Sequence, residues 1–203
     1  MLADDIARGF ATELIHYACG KWTGGRDEDD AVYRAVTEDR DRGALQQRYS
    51  SCGDLAHWLL YRLGCRSTFV NRQEHLGWRV GRNVSKLAFA PPAQDAKPTD
   101  LYAAGDVLVI WSNDTATDAH VMVVLHHEGT DLVCGEYGQP GGAVREHELA
   151  RPGWVGRRKI RKVLRLMRAL EDAERQGLLV EPDYTVLPQA QAYALQHAEV
   201  EPV

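Results

Sequence analysis

In the stretch "YSSCGDLAHWLLYRLG" (49–64), a cysteine stands between two serines and a glycine, a setting that a buried structural thiol does not need. Leu55, Leu59, Leu60 and Leu63 recur at helical spacing, so Cys52 falls where an apolar helix begins, with Ser50 or Ser51 as its cap and Gly64 as its stop. Unpaired N–H groups and the positive end of the helix dipole favour an anion there and lower a thiol pKa. Gly53 lets a substrate backbone come close, and the free N–H of Cys52 can help hold an oxyanion. These are the attributes of a nucleophile.

A thiolate nucleophile requires a base. Of the eight histidines, His120 is the strongest candidate, because it opens the apolar run "HVMVVL" and so stands at the end of a strand with one face open. Its second ring nitrogen needs a polar partner to fix the imidazole. A hairpin turning at about Gly129 brings residues near 120 opposite residues 136–138, which offers Glu136, with Gln139 just beyond it as the alternative. His57, on the same helix as Cys52, is displaced from it by about 140° around the axis and cannot serve the thiol.

The elements that must carry these groups fall in a simple order. Residues 3–19 have apolar positions at Ile6, Phe10, Leu14 and Tyr17, which predicts a helix stopped by Gly20. A charged insertion near 26–48 precedes the cysteine helix, and "APPAQDAKP" is a proline-bearing loop. Strands are expected at "DVLVIW" (106–111), "HVMVVLH" (120–126) and "TDLVCGEYG" (130–138), before "GQPGG" breaks the sheet. A further strand or helix start is expected near 154–160. Ile160, Val163, Leu164, Met167 and Leu170 predict an amphipathic helix from about 160 to Gly177, followed by an extended tail with at most one short helix. Helices first and a run of antiparallel strands afterwards predict an α+β domain, over residues 1–165, with 166–203 as a C-terminal helix and tail.

A cysteine at a helix start, a Gly-Asp leading a strand and a histidine opening the next strand resemble the NlpC-type and CHAP-type papain-like cysteine peptidases. Cys52 in "SSCGDL" matches the nucleophile, "AGDVLVIW" (104–111) the Gly-Asp lead-in, and "HVMVVL" the base strand with His120. Glu136 in "CGEYG" falls where the CHAP group carries its acidic third residue. The resemblance implies a papain-like fold and cleavage of an amide or isopeptide bond, with peptidoglycan stem peptides as substrate. Gln46 lies six residues before Cys52, where papain has an oxyanion-hole glutamine, and Tyr49 is an alternative donor. Two features depart from the pattern: no aspartate precedes the cysteine as in the NlpC group, and the charged insertion is unusual.

Composition limits the other classes. With 203 residues, 44% of them hydrophobic, one domain can bury a core without a metal or disulfide. A net charge of −5 argues against a nucleic-acid binder as a whole. Six basic residues in "RRKIRKVLR" (157–165) are expected on a helix face, which offers an anionic partner a docking surface. The four cysteines form no CxxC pair, and Cys52 and Cys65 at opposite helix ends are roughly 20 Å apart, too far to bridge. His126, His127, Cys134 and His147 lack the spacing of a zinc site, so neither metal nor cofactor is expected. No apolar run reaches membrane-span length and no secretory signal is visible, which predicts a cytoplasmic protein unless export is signal-independent or release follows lysis. A wall-cleaving form would then need such delivery, as in a phage lysin or an injected effector. Two rival readings share the fold: an inactive binding or scaffold module, and an acyl transferase using the same acyl-enzyme.

Overall fold

The apolar runs in the middle of the chain are too continuous for a half-exposed sheet, and burial on both faces is the reason. In the computed structural model, which describes residues 2–21, 52–65, 89–90, 102–111, 119–136, 143–149 and 153–197, Val107, Val109, Val121 and Val123 face a core shared with the helices. Their neighbours Leu108, Ile110, Met122 and Val124 face a second core on the other side. Side chains alternate across a strand, so two buried faces demand an unbroken apolar run.

The strands are β1 (Phe89–Ala90), β2 (Val107–Trp111), β3 (Ala119–Glu128), β4 (Asp131–Glu136), β5 (Ala143–Glu148), β6 (Trp154–Val155) and β7 (Arg158–Leu164). They form a seven-stranded antiparallel sheet of order β1-β7-β2-β3-β4-β5, with β6 paired to β7. Helices α1 (Asp4–Lys21) and α2 (Cys52–Arg62) cover one face, and α3 (Leu166–Arg175) and α4 (Gln189–His197) follow the last strand. The fold is α+β, an N-terminal helix packed on an open antiparallel sheet. Among the described residues no helix is long and apolar enough to cross a membrane.

Helix α1 presents Ala7, Phe10, Ala11, Leu14, Ile15 and Ala18 to the sheet, all fully buried. Its alanines allow close approach, and Gly135 on β4 completes the fit. A Cβ on Gly135 would stand 2.1 Å from the Ile15 side chain. Helix α2 buries Leu55, Trp58, Leu59 and Leu63 in the same core and ends where Cys65 N–H returns to Leu60 O at 2.8 Å. The segment after α3 is packed too. Val180 N–H bonds Gly64 O at 2.9 Å, Arg62 pairs with Asp183, and Tyr184 stacks on Phe10 with centroids 4.3 Å apart. Of the tail 178–203, only α4 is helical among the described residues.

One expectation from periodicity is corrected. Residues 160–164 belong to β7, not to a helix; the helix starts only at Leu166. The spacing of Ile160 and Val163 looked helical because β7 carries a bulge. Val109 pairs with Lys162 and Ile110 with Ile160, leaving Arg161 as an extra residue. The extra residue resets the alternation, so Ile160 and Val163, three apart, both enter the second core. The basic run 157–165 is therefore no helix face. It is a turn and strand, with Arg158 and Lys159 exposed, so the docking helix for an anionic partner does not exist. Strand β5 is one that no local pattern announces: polar "AVREHE" carries no strand-like alternation, yet it pairs with the whole of β4. The insertion 26–48, residues 91–98 of the loop "APPAQDAKP" and "GQPGG" lie outside the described residues, while Ala90 ends β1.

The Gly-Asp lead-in has a structural task. Gly105 has φ +82°, and a Cβ there would meet Leu166 Cδ2 at 2.4 Å and Ala11 Cβ at 3.0 Å. Asp106 is 1% exposed. Its Oδ1 accepts the Leu166 backbone N–H at 3.1 Å, which caps α3 from a distant strand, while Oδ2 accepts Arg165 at 2.7 Å. Arg8 from α1 approaches Oδ1 to 3.5 Å and donates to Ala104 O at 2.7 Å. Removing the carboxylate would leave the buried Leu166 N–H without its acceptor and take an ion-pair partner from Arg165 and from Arg8. Asp106→Ala is expected to lower the unfolding free energy by roughly 2–4 kcal/mol, read as a lower urea midpoint at unchanged slope.

Candidate active site

Cys52 is the first residue of α2, and α2 packs on β3, whose second residue is His120. The thiol is half-buried and close enough to the His120 ring to raise the ring's pKa. His120 Nε2 lies 2.7 Å from Glu136 Oε2. The register explains this pairing: Met122 stands opposite Glu136, so His120, two residues earlier on the same face, is its diagonal neighbour. Three of the residues expected from sequence, Cys52, His120 and Glu136, are thus brought together. Gln139, Tyr49 and Gln46 lie outside the described residues.

A fourth side chain meets them. His147 Nε2 is 2.6 Å from Glu136 Oε1, so one carboxylate bridges two imidazoles. Burial opposes the ionised form of Glu136, but hydrogen bonds and charge from His120 and His147 outweigh it and hold the carboxyl well below its usual range. An ionised carboxylate only accepts, so both Nε2 atoms carry a hydrogen. Nε2–H toward Glu136 leaves Nδ1 as the nitrogen available to Cys52. Burial of the His120 ring disfavours its charged form. Hydrogen bonds with Cys52 and Glu136, together with their negative charge, reverse that and raise its pKa to about 9. The arrangement therefore favours an imidazolium beside the thiol sulfur. His120 retains 29% exposure of its side chain, which leaves room for a reactant.

The backbone of Glu136 is fixed separately. Cys19, in the last turn of α1, donates its S–H to Glu136 O at 3.7 Å. Burial first, against the backbone hydrogen bonds, pushes the Cys19 thiol up to about 11. Cys134 is raised further, by burial and the nearby Glu136 charge. Cys19, Cys65 and Cys134 are buried, and none of the four cysteines is in a disulfide.

The histidines of the discarded zinc grouping go separate ways. His126 is exposed, His127 Nε2 bonds Tyr102 O at 2.9 Å, and His147 serves Glu136. Among the described residues no three His, Cys, Asp or Glu side chains gather as a metal site would require. Sequence reasoning missed His147 as part of the site. Its signal was slight: a histidine in a polar stretch whose strand character depends on β4 beside it.

No protein-family model, curated protein or solved structure matches the chain.

Two measurements check the geometry. Below about pH 7, Cys52 is expected to react with iodoacetamide at least about tenfold faster than the three buried cysteines, resolved by mass spectrometry, and His120→Ala should remove that advantage. A raised histidine pKa also contributes to stability. Because the folded value of about 9 lies above the ordinary 6.5, that contribution is complete below 6.5 and disappears as the pH rises through 9. The difference in urea midpoint between wild type and His120→Ala should follow this course; a difference independent of pH would contradict it.

Proposed function

We propose that this protein is a papain-like thiol hydrolase of the NlpC or CHAP type, cleaving an amide or isopeptide bond through an acyl-enzyme on Cys52. One observation carries the reading: a helix-start cysteine, a strand-end histidine and a carboxylate lie in one chain of contacts. The Cys52 sulfur attacks the carbonyl carbon, and the carbonyl π pair moves to oxygen. When the tetrahedral species collapses, the C–N bond breaks and the leaving amine takes a proton from His120. Water then attacks the thioester as His120 removes its proton. The acid leaves, and the thiol and imidazole return to their starting charge.

Glu136 keeps Nε2–H engaged so that Nδ1 faces the reaction, and it balances the imidazolium charge. The backbone N–H of Cys52, at the start of α2, is suited to the developing oxyanion. The resemblance of "SSCGDL", "AGDVLVIW" and "HVMVVL" to the cell-wall peptidases supports peptidoglycan stem peptides as the substrate class.

Soluble stem peptides, with products read by mass spectrometry, test the proposal. Cys52→Ala is expected to abolish turnover with the fold intact, His120→Ala to reduce it by about 10³, and Glu136→Gln to reduce it less. Activity surviving in Cys52→Ala would overturn the mechanism. Products in which an added amine replaces water would identify transfer rather than hydrolysis.

A further inference from the structure

The Glu136 carboxylate has a second partner that the cysteine–histidine chemistry does not by itself require. His147 lies on β5, an edge strand whose other residues from Val144 to Glu148 are exposed, yet its own side chain is only 24% exposed. The contact is no ordinary cross-strand pair. Glu136 stands opposite Ala143, and His147 stands opposite Leu132. Four rungs separate them, about 13 Å along the ladder, so both side chains must lean along the sheet to meet. They do so with Nε2 2.6 Å from Oε1, while Oε2 is held by His120.

A carboxylate on a single partner can turn about its last torsion and exchange its oxygens. Held at both oxygens by donors from opposite sides, Glu136 has one orientation. We propose that His147 is a positioning residue: by donating to Oε1 it locks the Glu136 carboxylate, which in turn fixes the His120 ring with Nε2–H bound and Nδ1 toward Cys52. The titratable groups at the carboxylate that His147 touches are His120 on β3 and His147 itself, with Cys134 nearby on β4 and the Cys19 thiol of α1 on the Glu136 carbonyl. The role in activity rests on the proposed thiol chemistry; the positioning does not.

The test therefore has two independent readouts on the full chain. The first is the exchange rate of the His120 Nε2–H proton with water, observed by nitrogen-15 NMR and assigned by its loss in His120→Ala. His147→Ala is expected to accelerate that exchange by about fivefold to tenfold, the equivalent of one hydrogen bond. His147→Gln, which keeps an N–H donor at similar reach, should restore it. Unchanged exchange in His147→Ala overturns the proposal, as does equal loss in His147→Gln. The second readout is Cys52 alkylation against pH. His147→Ala should slow it by a similar factor in the wild-type background and leave it unaltered in Glu136→Gln, because the effect passes through Glu136. An effect that persists in Glu136→Gln also overturns the proposal, since His147 would then act without the carboxylate. Should Cys52 prove inert in the wild type, the hydrolase reading fails, and the exchange rates still decide the positioning of His120.

Discussion

Asp106 is the constraint on which the layered arrangement depends. Its carboxylate, 1% exposed, holds the start of α3 through the Leu166 N–H, the end of β7 through Arg165, and α1 through Arg8. Its backbone pairs with Val124 of β3, so the same residue joins β2 to the strand that carries His120. A buried ion pair adds little net stability compared with a well-packed apolar substitute. What it supplies is a unique geometry: an apolar contact can slide, whereas a carboxylate that accepts a particular N–H and one guanidinium, with a second guanidinium paired beside it, cannot. Gly105, beside it, leaves room for Leu166 and Ala11 to close over the junction.

That geometry reaches the site through the helix layer. Helix α1 lies on β4 at Gly135, and its Cys19 bonds the Glu136 carbonyl. Helix α2 shares the core with α1, Tyr17 stacking near Trp58 at 6.4 Å, and this fixes the height at which Cys52 meets β3. The polar groups sit at the rim of the sheet, where a hydrogen-bonded charge can be half-buried without the penalty of the full interior. The ionised carboxylate is the centre of this cluster, since it determines the tautomer of both histidines and the charge that His120 carries.

Much of this was legible in the sequence, and for definable reasons. The stripes Phe10, Leu14 and Leu55, Leu59, Leu63 each record one helix packed against one surface, so local periodicity predicts them. Runs such as "DVLVIW" and "HVMVVL" read as strands from their apolar, β-branched content, and the structure buries them on both faces. Hairpin arithmetic from a turn at Gly129 brought residues 136–138 near His120 and so offered Glu136, with Gln139 as the alternative; the register itself came from the sheet. The Gly-Asp motif was visible as a lead-in, but its work of capping α3 was not, because its partners lie about sixty residues further along the chain.

The sequence by itself determined the helices, the central strands and the types of residue able to do thiol chemistry, because each of these is set by neighbours within one element or one hairpin. Only the tertiary structure decided three things. The Arg161 bulge in β7 depends on pairing with β2, and without that pairing Ile160 and Val163 keep the spacing of a helix. The polar strand β5 exists because β4 offers it an edge to bond, not because its own side chains alternate. His147 reaches Glu136 by lying along that added strand, a contact between residues that no local pattern connects. Local patterns record burial within an element; bulges, edge strands and shared carboxylates are written in the partner strand, and they become visible only when the sheet is assembled.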